Sequence, residues 1–476
     1  MKKICLILAM LLLATFVFSA CNTPSGTKTP ANTENPGTEP VAGDEKGYDG
    51  SDVTIKFYHT MGQNLNSVLD EYIAEFNKLY PNIHVDWQQV GGYDDVRDQI
   101  RTEITVGDQP NIAYCYPDHV ALYNKANVVQ TLDSLINSKA VVKRADGSEE
   151  IMGLTEEQIA DFIEGYYEEG KAFGDGKMYT MPFSKSTEVL YYNKTFFDQN
   201  GLKVPTTWDE MYEVCKKIKE IDPSSTPLGY DSESNWFITM TEQYHSDYTS
   251  ATGEHFLFDN DTNRSFIKTF NKWYSEGLVT TSKLYGTYTS GLFVSNKSYM
   301  SIGSSAGATH QRPEKVDGNY PFEVGIASIP QVNPEDPKAI SQGPSVCIFK
   351  ANKNITQQQV YASWLFVKYL TTNIGFQADF ARASGYVPVI KSVDQDEIFK
   401  GFLAKADGGD YIAALSMKVC LEQEKSYFTS PAFVGSSTAR DEVGALLVKC
   451  IGLTENVDAQ IDKAFKDAVE ECEYQS

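Results

Sequence analysis

The sequence predicts an α/β fold built on a mainly parallel sheet with helices on its faces. Two observations carry this. Between Asp52 and Tyr116 the apolar residues switch back and forth between period two and period 3.6, in the order β-α-β-α-β. Further strand-like runs at Thr187–Asn193 and Val324–Pro330 recur between helical patterns along a chain of 476 residues, enough for two or three domains.

Taken in order, Asp52–His59 (DVTIKFYH) alternates as a first strand. Leu65, Val68, Leu69, Tyr72, Ile73, Phe76 and Leu79 share one helical face over Asn64–Tyr80, and Pro81 ends that helix. Ile83–Val90 is a second alternating strand, and Gly91-Gly92 breaks it. Tyr93–Val106 is a second helix, and Asn111–Tyr116 a third, apolar strand. In such sheets ligands bind beyond the carboxyl ends of the strands. Those ends fall at His59–Met61, Gly91–Tyr93 and Tyr116–Asp118. Residues 131–175 read as helical and acidic, with an insertion-like loop at Arg144–Glu150.

The segment Gly176–Ile221 joins a short strand ending at Pro182, the β-branched and aromatic strand Thr187–Asn193, and a short helix at Lys194–Gln199. A longer helix then opens at Trp208, with Thr206 or Thr207 as N-cap and Asp209 and Glu210 in its first turn. Beyond it, Leu228–Tyr248 is rich in aromatics and Phe256–Tyr274 contains a helix. Phe293–Ile302 reads as extended, Gln358–Thr371 as a helix, and Val457–Cys472 as a terminal amphipathic helix.

Composition narrows the function. Acidic residues outnumber basic ones 64 to 41, a net charge of −23, which argues against nucleic-acid partners and broad adhesion to anionic membranes. The N-terminus has a basic Met1–Lys3, an apolar Ile4–Phe18 too short to span a bilayer, and the small residues Ser19-Ala20 before Cys21, as a secretory signal does. Residues 21–50 are rich in Pro, Gly, Thr and Glu, with almost nothing apolar, and read as a disordered tether. Six further cysteines (Cys115, Cys215, Cys347, Cys420, Cys450, Cys472) lie far apart, without zinc spacing, in mostly apolar contexts that suit buried thiols.

The motifs with catalytic overtones are weak. Gly303–Gly307 (GSSAG) has the spacing of an esterase elbow around Ser305, yet His310 is the sole histidine downstream and sits in the same loop. Asp259–Asn263 alternates oxygen donors, but Arg264 replaces the glycine of a calcium loop, so a helix cap is expected. No phosphate loop, dinucleotide fingerprint or HExxH occurs, and no cofactor or metal is expected.

Several motifs agree on one family. P-F-x-x-S-T-x-x-L-Y-Y-N-K with P-x-T-W-x-E in residues 182–210, FYHTMGQ at 57–63, GDQPNIAYCYPDH at 107–119, GSSAG at 303–307, SQGPS at 341–345 and GYVPV at 385–389 resemble the solute-binding proteins of ABC importers. The likeness is greatest to the branch that takes sugars and glycerol phosphates, and it covers nearly all of the chain from Ser51. It implies a two-lobed periplasmic-binding-protein fold (type II) with three interlobe crossings, near Pro182–Thr187, Ile302–Ser304 and Gln342–Ser345. The first lobe would hold 51–184 and 302–342, and the second 185–301 and 343–476. By the same resemblance residues 1–20 are a signal peptide, and Phe18–Cys21 is similar to a bacterial lipobox that lipidates Cys21. The expected protein is a monomer held on the extracellular face of the cytoplasmic membrane, serving an ABC permease.

The motif positions that hold ligand in glycerol-phosphate-binding members fall on Tyr93, Ser186, Ser304 or Ser305, Gly343, Tyr386 and Arg440, with an acidic position near Asp118. Thr187 and Trp236 complete the expected site, an aromatic face and small hydroxyls suiting a polyol. The expected function is capture of a carbohydrate, without catalysis. The alternatives are a glycerol 3-phosphate or glycerophosphodiester ligand and, in another class, a secreted polysaccharide hydrolase.

Overall fold

The computed structural model describes residues 46–408 and 411–475. The expected signal peptide, the lipidation site Cys21 and the tether up to residue 45 lie outside the described residues. Strands in chain order are β1 (Val53–His59), β2 (Ile83–Gln89), β3 (Ile112–Cys115), β4 (Val141–Lys143), β5 (Glu149–Ile151), β6 (Thr180–Pro182) and β7 (Ser186–Asn193). Then follow β8 (Leu228–Tyr230), β9 (Val279–Thr281), β10 (Met300–Ser304), β11 (Val324–Ser328), β12 (Ala339–Gln342), β13 (Ser345–Ile348) and β14 (Tyr427–Phe428).

Two sheets organise the two lobes. The first has the order β2-β1-β3-β13-β6, and the second β14-β12-β7-β10-β8-β9, with β11 also on β7. β1 runs parallel to β2 and β3, as the β-α-β-α-β pattern requires, and β13 lies antiparallel between β3 and β6. The helices between them bury the predicted faces: Leu69, Ile73 and Phe76 from Gln63–Leu79, and Val96 and Ile100 from Tyr93–Ile104. In the second sheet β7 is the hub, antiparallel to β10 along one edge and to β11 and then β12 along the other. Its helix Trp208–Ile221 starts at Thr207, whose hydroxyl accepts from the Glu210 amide while Glu210 reaches back, closing a capping box.

Sheet membership corrects the expected lobe boundaries. β10, β11 and β12 belong to the second sheet, so 302–342 does not return to the first lobe. β13 belongs to the first sheet, and the helices Gln357–Thr372 and Ile374–Ser384 pack into the first core. The helices Ser436–Ile451 and Val457–Gln475 pack into the second core beside Trp236 and Phe270. The chain therefore passes between sheets at 183–185 and 343–344, and last ahead of the Ile412–Glu422 helix, which packs on β7 and β11 and whose Ser416 Oγ donates to Ser305 O. The crossing expected at Ile302–Ser304 is absent because that stretch is β10, paired residue by residue with β7.

Three local readings also change. Of the expected loop Arg144–Glu150, residues 144–148 are the turn of the β4–β5 hairpin, and Glu149 and Glu150 are in β5. Within Phe293–Ile302, a helix (Ser290–Val294) precedes the strand. Lys46–Gly50, expected in the tether, lies against the first lobe: Tyr48 is buried against Tyr80, and Asp49 N donates to Gln358 Oε1 at 3.0 Å. All six described cysteines are buried and free of disulfides. No helix among the described residues is long and apolar enough to cross a membrane.

Candidate ligand-binding cleft

A cavity of about 660 Å³ lies where loops of both sheets meet, a size typical of small-molecule sites. The first lobe supplies the starts of the helices after β2 and β3: Gly92–Asp95 with Arg97, and Tyr116–His119. The second supplies Ile238, Tyr248, Thr429–Ala432 and one turn of the Ser436–Ile451 helix, ending in Arg440 and Asp441. Residues 340–343, at the second crossing, close the bottom with Glu169. The loop after β1 stays out of the cavity. His59 there is buried, its Nδ1 accepts from Met61 N at 3.1 Å, and burial pushes its pKa down to about 4, so it is a neutral core residue.

One wall is aromatic. The Tyr93 and Tyr116 rings lie 4.7 Å apart, His119 meets Tyr116 edge-on at 5.6 Å, and Tyr93 Oη is 3.5 Å from Tyr386 Oη. Tyr248 approaches from the second lobe. His119 Nδ1 and Tyr248 Oη are buried without a hydrogen-bond partner among the described residues. Both are polar atoms that a hydroxylated ligand could satisfy. Burial also pulls the His119 pKa down, favouring the neutral ring that can either donate or accept.

Most cleft charges are already committed. Arg97 pairs with Asp94 at 2.7 Å and Asp98 at 2.9 Å, and Asp95 caps Gly92 N. Glu169 accepts from the buried Lys185 Nζ with both oxygens at 2.7 Å. Arg440 is different: its guanidinium donates to the neutral Asn235 Oδ1. Asp441 beside it has its pKa raised, by burial first and by Asp94 across the cleft second.

Lys185 and Glu169 also tie the crossings together. Lys185 follows β6, and besides Glu169 its Nζ donates to Gly343 O at 3.2 Å and Ser345 Oγ at 2.9 Å on the other crossing strand. Gly343 has φ +92°, and a Cβ there would sit 2.6 Å from Ser184 O and 2.9 Å from Lys185 Cα. Glycine is therefore required at this turn.

Of the residues expected at the site, Tyr93, Asp118, Gly343 and Arg440 line the cavity, and Tyr386 stands behind Tyr93. The others lie elsewhere. Ser186 and Thr187 are buried in the β7–β12 seam, where Thr187 Oγ1 donates to Ile340 O at 2.9 Å. Ser305 is buried with its Oγ accepting from Thr187 N, and Ser304 Oγ caps Ala306 N. Trp236 is fully buried, stacked on Tyr230 at 4.8 Å. Its helix, Glu233–Gln243, presents Ile238 to the cleft, and two residues' separation turns Trp236 to the opposite side. The sequence reading passed over Tyr248, His119, Glu169 and Asn235. Tyr116 was visible as a strand end, while Asn235 and Glu169 carried no local signal.

No Ser305–His310 bond exists among the described residues, and Ser305 is buried while His310 is exposed, so the esterase-like spacing assembles nothing. Asp259–Asn263 is the expected cap: Asn260 Oδ1 accepts from Asn263 N at 3.0 Å and Asp259 pairs with Arg264. No cluster of metal-binding side chains occurs among the described residues.

Two α/β lobes, joined by short crossings and enclosing a cavity of tyrosines, small polar groups and two arginines, define a protein that holds a small solute. The comparisons agree. The chain belongs to the bacterial extracellular solute-binding protein family, whose model matches residues 62–375. It is 24% identical over 368 residues to the multiple sugar-binding protein of Streptococcus mutans, covering 72% of this chain and 77% of that one. It is 27% identical over 191 residues to the sn-glycerol-3-phosphate-binding periplasmic protein UgpB of Escherichia coli K12, only 40% of that protein's length. Among solved structures, UgpB from Mycobacterium tuberculosis in complex with glycerophosphocholine superimposes with a TM-score of 0.68 at 18% identity, covering 89% of this chain and 98% of that one. The cyclic alpha-maltosyl-1,6-maltose binding protein of Arthrobacter globiformis gives 0.68 at 17%, covering 88% and 98%. The chain is an extracellular solute-binding protein of the kind that serves ABC importers.

Proposed function

We propose that this protein captures a carbohydrate in the cleft between its lobes and hands it to an ABC permease, held at the membrane by a lipid on Cys21. The observation that carries this reading is the wall of Tyr93, Tyr116 and Tyr248 around a cavity of about 660 Å³. Aromatic faces suit the C–H surfaces of sugar rings, and Asp118, His119 Nδ1 and Tyr248 Oη suit their hydroxyls. Ligand touching both lobes favours the closed state, the form a permease can recognise. Asp118 and Tyr93 would act from the first lobe, and Arg440 and Tyr248 from the second.

A second reading, a glycerol phosphate or its diester, is favoured by one feature: the half-buried Arg440 meets a neutral amide, which leaves its charge for an anionic group of the ligand. Thermal melting of the full-length protein against mono- and oligosaccharides and glycerophosphodiesters decides between them. A ligand at about 100 times its Kd stabilises by roughly 2.7 kcal/mol, several degrees in Tm. A shift with neutral sugars supports the first reading and a shift confined to anionic polyols the second. Hydrolysis of a glycan by the purified protein would overturn both.

A further inference from the structure

Behind Arg440 runs a short buried chain of polar groups that no direct ligand contact explains. The guanidinium donates to Asn235 Oδ1. The other end of the same amide, Asn235 Nδ2, donates to Glu188 Oε1 at 3.0 Å. Tyr230 Oη donates to Glu188 Oε2 at 2.5 Å. Glu188 is 1% exposed, Asn235 3% and Tyr230 0%. Both Glu188 oxygens thus face neutral donors, and the nearest cation lies one amide away. Glu188 sits on β7 between the buried Thr187 and Val189, and its backbone carbonyl is held by Gln423 Nε2 at 3.3 Å.

We propose that Asn235 and Glu188 form a positioning relay for Arg440, and that Glu188 takes up a proton from solvent when an anionic group of the ligand settles on that guanidinium. The idea rests on the cleft being the ligand site. Asn235 fixes the guanidinium with its acceptor end, and its donor end is fixed in turn by Glu188, so the amide cannot flip without losing both bonds. Electrostatically, Arg440 supports the Glu188 carboxylate across the amide. The other titratable groups facing it are Tyr230, which donates a hydrogen bond, and Asp231, which opposes its charge. An anion on Arg440 cancels that support and leaves the buried carboxylate favouring its neutral form. Burial already pushes Glu188 up to about 7, so its proton equilibrium lies where such a change is felt. By linkage, what binds the proton more tightly also binds the anion more tightly. A neutral sugar would leave Arg440's field on Glu188 largely intact and couple to no proton.

The test begins without ligand. Melting temperature is followed from about pH 5 to about pH 9 for the wild-type, Glu188→Gln and Arg440→Gln proteins. The expected wild-type curve loses stability as pH rises from the ordinary glutamate range to about 7 and then levels off. Glu188→Gln lacks that step, which separates it from any contribution of Asp231. Arg440→Gln keeps the step and moves it to higher pH. An Arg440→Gln curve that superimposes on the wild type overturns the relay, whatever the ligand. Calorimetry with glycerophosphocholine, whose phosphodiester keeps its charge across this range, then reads the coupling. The expected result is binding several-fold tighter at about pH 6 than at about pH 8.5, flat in Glu188→Gln, with maltose flat in all three proteins. Binding of glycerophosphocholine with no pH dependence in the wild type overturns the proton uptake. A shifted Arg440→Gln step with no binding at either pH upholds the relay and counts instead against an anionic ligand in this cleft.

Discussion

Trp236 lies in the first turn of the Glu233–Gln243 helix and Tyr248 beyond its other end, and only Tyr248 reaches the cavity. Trp236 packs between Tyr230 and Phe270, so Trp236→Ala should cost about 3–5 kcal/mol of stability, read as a lower denaturant midpoint, with ligand affinity kept in the folded fraction. Tyr248→Ala should show the converse, with binding weakened by roughly 1–3 kcal/mol and little change in Tm. Unchanged affinity in Tyr248→Ala would remove it from the site. At this scale the sequence was partly legible. Motifs placed Tyr93, Asp118, Gly343 and Arg440 at helix starts and a turn that do meet at the cavity. A motif does not say which way a side chain points. Ser186, Thr187 and Ser305 lie beside the cleft in the chain but are buried in the seam, and Asn235 depends on a partner 205 residues away.

At the scale of elements, the crossings are where sequence and structure bear most closely on each other. The short links at 183–185 and 343–344 were predicted where they stand, since proline and glycine mark them. The lobe assignment of β10 to β12 was not legible. Alternation shows that a stretch is a strand and which face is buried, but not which of two sheets it joins. Gly343→Ala tests the crossing directly. Its left-handed φ and the contact with the Ser184 carbonyl should make this substitution cost at least about 1–2 kcal/mol, measured by chemical denaturation. Ligand affinity should fall as well, because residues 340–343 form the floor of the cavity.

For the whole molecule, the Lys185–Glu169 pair joins both crossings and the cleft floor in a single buried contact. Lys185→Met leaves a buried carboxylate without its cation and should cost about 3–5 kcal/mol. The double variant Lys185→Met/Glu169→Gln should recover much of that loss in urea unfolding. A single variant as stable as the wild type would mean that the pair has no structural role.

The place of β13 has a further consequence, one of timing. It fills the gap between β3 and β6, and Cys115 Sγ donates to Ser345 O across 230 residues of intervening chain. A chain that emerges from its N-terminus therefore builds β1, β2 and β3 early but cannot close their sheet until nearly all of the second lobe's strands have been made. During that interval β3 presents an open edge of amides and carbonyls, the kind of surface that pairs with the wrong strand. Such distant pairing is intrinsically slow, so the first lobe begins folding early and finishes late. The second lobe, inserted into it like a long loop, determines when.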